Sequence, residues 1–124
     1  MDQEKYDLGF ETLNKLNQGT SEKVKKGLES IAPDVSDYII NFAFGEIYNR
    51  PYLDLKQRQV VTLTALLTQG DTSHQLYTHI KGAKNFGWTE NEIIEMFIQT
   101  LPYVGFPRVL NAIETAKKAF KDSK

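Results

Sequence analysis

Cysteine is absent from the 124 residues. That absence excludes disulfides, thiolate metal ligands and every mechanism with a cysteine nucleophile. Net charge is nearly absent as well: 15 Lys and Arg face 16 Asp and Glu, which leaves −1 at neutral pH. A balance of this kind gives no electrostatic footprint for nucleic acid or for an anionic membrane. No apolar run approaches the ~18 residues that a membrane-spanning helix needs, so no span is expected. The N-terminus, Met1-Asp2-Gln3-Glu4-Lys5, is acidic and lacks the apolar stretch of a secretory leader. Together with the missing cysteine this predicts a cytoplasmic protein. Period-two alternation and Asn-Gly or Asp-Gly hairpin signals are missing too, so strands are not expected.

Helical periodicity fills the space that is left. Tyr6, Phe10, Leu13 and Leu16 recur at helical spacing over residues 3–18, although Gly9 lies among them. Such a glycine costs about 1 kcal/mol against alanine, so this helix must depend on packing. Ser21 is placed to cap a helix over 22–31 that buries Val24, Leu28 and Ile31. Pro33 suits the first turn of the next helix, whose expected core positions are Val35, Tyr38, Ile39, Phe42, Ala43 and Ile47. From Leu55 to Thr68 the pattern is apolar nearly all round, which marks a central helix or one covered by a second copy. A helix from about Asp71 or Thr72 to Phe86 should end on a left-handed Gly87. Thr89 and Glu92 form a capping box for a helix burying Ile93, Ile94, Phe97, Ile98 and Leu101. The segment 102–107, with two prolines, reads as a break before a last helix burying Val109, Leu110, Ile113, Ala116 and Phe120. The expected fold is all-α: one domain over residues 1–124, a bundle of about six or seven helices.

Residues able to carry chemistry are few. Both histidines fall in one short stretch, Gly70 to Ala83. On a helix, Thr72, Gln75 and His79 share a face. Imidazole is the side chain best suited to moving protons near neutral pH, and a core histidine held by its neighbours is the bland alternative. His74 lies off that face, and with no other His or Cys in the chain no metal site is expected. Three arginines stand out among the basic residues: Arg50 before Pro51, Arg58 one turn into the apolar helix, and Arg108 after Pro107. Each calls for a carboxylate from the protein or from a ligand; for Arg58 the local answer is Asp54, four residues earlier. Glu46, in the apolar run 42–48, is either a buried acid or base or the wet side of an amphipathic helix.

Four segments, taken in order, resemble the carboxymuconolactone decarboxylase family, which shares its all-α fold with alkylhydroperoxidase D-like proteins. They are Phe44 to Pro51, Leu53 to Arg58, His79 to Ala83 with Gly87 to Ile93, and Tyr103 to Ala112. The similarity runs from about Gly27 to Phe120. The peroxidase-type branch carries Cys-x-x-Cys-x-x-x-His with an upstream Glu. Here those positions hold Thr72, Gln75 and His79, with the Glu on or near Gln59. Thiol peroxidase chemistry by that motif therefore has no thiol to run on.

The decarboxylase branch is similar in lacking thiols and keeping the histidine. The resemblance implies a carboxy-lyase of aromatic-compound degradation, which removes carbon dioxide from a carboxylated unsaturated lactone without a cofactor. It implies His79 as general acid/base, Arg50 and Arg58 as anion binders, and Thr72, Gln75 and Glu46 as supporting polar groups. Decarboxylase relatives often carry an acid where Gln75 stands, and an amide there cannot relay a proton. Family likeness also implies a homotrimer or homohexamer. The rival reading is a relative that has lost catalysis and binds a small molecule or stabilises an assembly.

Overall fold

A computed structural model describes residues 2–123, and these fold as helices and turns with no strand among them. Seven α-helices follow one another: α1 (Gln3–Leu16), α2 (Thr20–Leu28), α3 (Pro33–Asp37), α4 (Leu55–Gln69), α5 (Ser73–Asn85), α6 (Glu90–Val104) and α7 (Phe106–Asp122). The all-α expectation holds. Backbone contacts divide the chain into two compact units that meet in sequence at Leu55 and Lys56.

In the first unit, Asp2 caps α1 by accepting from the amides of Glu4 and Lys5 at 3.0 and 3.2 Å. Gly9, the apparent weak point of α1, is buried because another backbone passes over it. A Cβ there would lie 1.8 Å from the carbonyl oxygen of Ile40, and a Cβ on Gly45 would lie 2.3 Å from that of Lys5. Two glycines thus let α1 cross the segment after α3 at backbone contact, which no larger residue permits.

That segment, Tyr38–Phe44, is π-helical. The Gly45 amide reaches back five residues to the Ile40 carbonyl at 2.9 Å. The buried row is Ser36, Ile40 and Phe44, spaced by four. The expected row is corrected accordingly: Val35, Tyr38, Phe42 and Ile47 are exposed, while Ile39 and Ala43 are half-buried. Ser21 is corrected as well. It does not cap α2 but lies inside it, its hydroxyl donating to the Phe10 carbonyl at 2.7 Å and its amide to Asn14 Oδ1 at 3.0 Å. Gly19, with φ of 84°, makes the turn, so α2 starts earlier than expected and stops before Ile31, which is exposed.

The second unit is built on one apolar core. Leu63 and Leu67 of α4, Leu76, Ile80 and Ala83 of α5, Ile93 and Phe97 of α6, and Val109, Ala112, Ala116 and Ala119 of α7 form a single cluster. Both arms of the Thr89–Glu92 capping box are made, at 2.9 and 3.1 Å. Gly87 adopts φ of 101°, the left-handed end expected for α5. The break expected over 102–107 narrows to Gly105, with φ of 89°. Pro102 is accommodated inside the last turn of α6, where the carbonyl it leaves unpaired belongs to the exposed Ile98. The near-continuous apolar pattern of α4 is buried along one row alone: Gln59, Leu63 and Leu67 face inward, while Val61 and Ala65 face out.

Candidate active site around His79

Helix α5 presents two different sides. Leu76, Ile80 and Ala83 point into the core, and Gln75 and His79, four residues apart, lie beside that row. Gln75 is exposed and His79 only partly so. The Nδ1 of His79 is sealed from solvent and has no hydrogen-bond partner. Burial disfavours the imidazolium, so the His79 pKa falls from 6.5 to about 4. At neutral pH the ring is uncharged, and the sealed nitrogen faces protein with its valence for a hydrogen bond unused.

Thr72 belongs to the same region but not to the same helical face. It precedes α5 and its hydroxyl donates to the Leu66 carbonyl at 2.5 Å, which ties the α4–α5 turn. It lines a cavity of about 320 Å³ together with Gly70, Leu76, Arg108, Asn111 and Thr115. Gly70, with φ of 74°, leaves room for the Arg108 guanidinium: a Cβ there would stand 1.7 Å from Nη1. Arg58 is half-buried one turn into α4. His74 is exposed.

Glu46 and Arg50 lie in the first unit. Glu46 is half-buried, and its Oε1 accepts from Lys5 Nζ at 2.9 Å. It lines a cavity of about 500 Å³ with Asp34, Asp37, Tyr38, Asn41 and Phe42. Nothing in the sequence pattern joins Lys5 to Glu46, because the pair spans 41 residues and depends on the α1 crossing. Arg50 is exposed in extended backbone before Pro51.

Gln59, which the family resemblance puts on or near the upstream Glu of the peroxidase-type motif, carries no signal in helical periodicity. It is 1% exposed, and its Oε1 has no hydrogen-bond partner. Among the described residues, Gln59 Oε1 and His79 Nδ1 are the two buried side-chain polar atoms left in this state. Each such group costs about 1–3 kcal/mol against a partnered one. The available signal was that resemblance, because α4 also carries Lys56, Gln57, Arg58, Thr62, Thr64, Thr68 and Gln69 and its inward row is set by the fold. No group of three or more His, Asp or Glu side chains is placed to hold a metal among the described residues.

The chain is helical, carries no thiol and keeps a partly exposed, neutral histidine beside the core of its second unit. Its sequence matches the carboxymuconolactone decarboxylase family over residues 33–118, and the chain belongs to that family. It is 30% identical to the 4-carboxymuconolactone decarboxylase of Acinetobacter baylyi over 122 residues, covering 98% of this chain and 90% of that one. It is 33% identical to the nitrosuccinic acid decarboxylase npaB of Metarhizium robertsii over 105 residues, 82% of this chain and 73% of that one. A third relative, an uncharacterised 15.0 kDa protein of Paracoccus denitrificans, is 29% identical over 98 residues, 78% of this chain and 73% of that one. No helix among the described residues is long and apolar enough to cross a membrane.

Proposed function

We propose that the protein is a carboxy-lyase acting on a small organic acid, with 4-carboxymuconolactone or a related carboxylated lactone as substrate and His79 as general acid/base. The observation that carries this reading is the His79 imidazole, sealed at Nδ1 and neutral at physiological pH. The two relatives named as decarboxylases support it. In this reading the bond from the lactone to its carboxylate breaks and carbon dioxide leaves. The electron pair passes into the conjugated lactone, and a proton is then returned to carbon.

The acid for the last step need not be charged beforehand. An anion beside an imidazole favours its protonated form. Arrival of the carboxylated substrate therefore draws a proton from solvent onto His79, and the imidazolium both balances the developing negative charge and delivers the proton. Arg58 supplies a fixed positive charge for a carboxylate by its planar fork, and Gln75 and Thr72 supply neutral hydrogen-bonding groups on the α5 side. The reading calls for no cofactor.

Self-association as a homotrimer or homohexamer belongs to the same proposal. Val61, Ile98, Tyr103, Phe106 and Leu110 of the second unit expose apolar surface, the kind of surface that a second copy covers.

The deciding experiment follows the loss of ultraviolet absorbance of 4-carboxymuconolactone. Wild type is expected to turn it over, and His79→Ala to lose at least a hundredfold in kcat while keeping its helical circular-dichroism spectrum. No turnover by wild type, or equal rates for the two, overturns the assignment; binding without turnover favours the non-catalytic, small-molecule-binding reading.

A further inference from the structure

Helices α4 and α6 line a cavity of about 860 Å³ in the second unit. On α4 its wall is Val60, Thr64 and Thr68, spaced by four and one position on from the inward row of Gln59, Leu63 and Leu67. On α6 its wall includes Glu92, Met96, Gln99 and Tyr103, again at helical spacing. Trp88, just before α6, completes the lining. Trp88, Met96 and Val104 pack against the buried cluster, so the floor is apolar and continuous with the core. The volume lies within the roughly 300–1,000 Å³ of small-molecule sites.

The polar groups of this wall define which ligand fits. The hydroxyls of Thr64 and Thr100 donate to the carbonyls of Val60 and Phe97 at 2.8 and 2.7 Å. The Trp88 indole Nε1 donates to the Lys56 carbonyl at 2.7 Å. These three donors are therefore spent. Charge in the lining is of one sign, since Glu92 and Glu95 belong to it and no Lys, Arg or His does. Glu92 Oε1 is committed to the Thr89 amide at 2.9 Å. Glu95 enters no ion pair among the described residues. The Trp88 ring already carries one ammonium, with Lys56 Nζ 4.6 Å from its centroid, which is the distance at which an aromatic face attracts a cation. An anion entering here would meet carboxylates without a lining cation, whereas a cation meets a free carboxylate and aromatic faces.

We infer that the α4–α6 cavity is a second binding site, for an amine whose protonated nitrogen meets Glu95 and whose apolar or aromatic body lies along Val60, Trp88 and Met96. The inference goes beyond the lyase reading and does not depend on it. Neither His79 nor any arginine lines this cavity, so the amine and the organic acid are recognised by different residues.

Trp88 is the single tryptophan of the chain, so its fluorescence reports on this cavity directly. Three probes with one apolar body test the head group: 4-phenylbutylamine, 4-phenylbutan-1-ol and 4-phenylbutanoate. The amine is expected to shift Trp88 emission saturably and to bind about tenfold more tightly than the carboxylate, with the alcohol between them. Glu95→Gln, a change at an exposed position, is expected to weaken the amine about threefold and to leave the alcohol unchanged. No Trp88 response to the amine, equal affinity for amine and carboxylate, or an amine affinity indifferent to Glu95→Gln overturns the inference. So does binding that appears only once the protein is diluted to single chains, because a second copy then fills the cavity in place of an amine.

Discussion

At neutral pH the His79 ring carries no charge, and its stability effect follows from that. In the unfolded chain the group titrates near its ordinary value, 6.5, whereas in the fold burial holds it at about 4. Between those values the unfolded chain binds a proton that the fold refuses, so stability rises with pH there. The contribution is complete above pH 6.5 and is lost as pH falls towards 4, on the order of 3 kcal/mol in all. Denaturant melts taken between pH 4 and 7 should show this acid loss in wild type, and His79→Leu should flatten it. The same buried, neutral ring predicts proton uptake on ligand binding. Calorimetric titration at pH 7 with a carboxylated lactone analogue that cannot lose carbon dioxide, repeated in buffers of different ionisation enthalpy, should report net proton uptake by wild type and none by His79→Asn. His79 stands out in the sequence because only two histidines exist and one shares a helix face with Gln75. Gln59 was not legible in the same way, because its significance is an empty hydrogen-bond position that only surrounding side chains define.

Helices show where local signals suffice. The Thr89–Glu92 capping box and the Gly87 ending are made as the sequence spells them, because both need only a few consecutive residues. Thr89→Ala should cost about 1 kcal/mol in a denaturant melt with the fold unchanged. The crossing of α1 over the π-helical segment is the opposite case. Gly9 reads locally as a weakness of about 1 kcal/mol, yet the Ile40 carbonyl stands where its Cβ would be. Gly9→Ala is therefore expected to lower stability rather than raise it, by several kcal/mol, because the backbone must separate. An alanine variant that melts at or above wild type would contradict the crossing. The backbone of α1 passes over this segment at Ile40, and there Ser36, Ile40 and Phe44 form the buried row while Val35, Tyr38, Phe42 and Ile47 lie outside.

For the whole molecule, the distribution of apolar surface matters more than its amount. The fully buried Phe97 anchors the cluster shared by α4, α5, α6 and α7. Phe97→Ala should cost about 3–5 kcal/mol and lower the melting temperature accordingly. Outside that cluster, Tyr103, Phe106 and Leu110 stay largely in water in the single chain. Light scattering coupled to size exclusion should give a mass three or six times that of the 14.2 kDa chain. Replacing Phe106 and Leu110 with Ser and Asn should shift it downward, and a strict wild-type monomer would overturn the assembly.

Composition and periodicity by themselves determined that this chain is all-α, that no cysteine chemistry is open to it, and where most helices begin and end, while four short segments carried the family resemblance. These are properties of neighbouring residues or of residue types, and no distant contact can alter them. Tertiary structure decided the rest: which side of the π-helical segment is buried, that Glu46 meets Lys5, that His79 is neutral, and that Gln59 keeps an unused acceptor in the core. Each of those depends on desolvation or on a contact between residues far apart in the chain, and neither quantity is written in the local pattern.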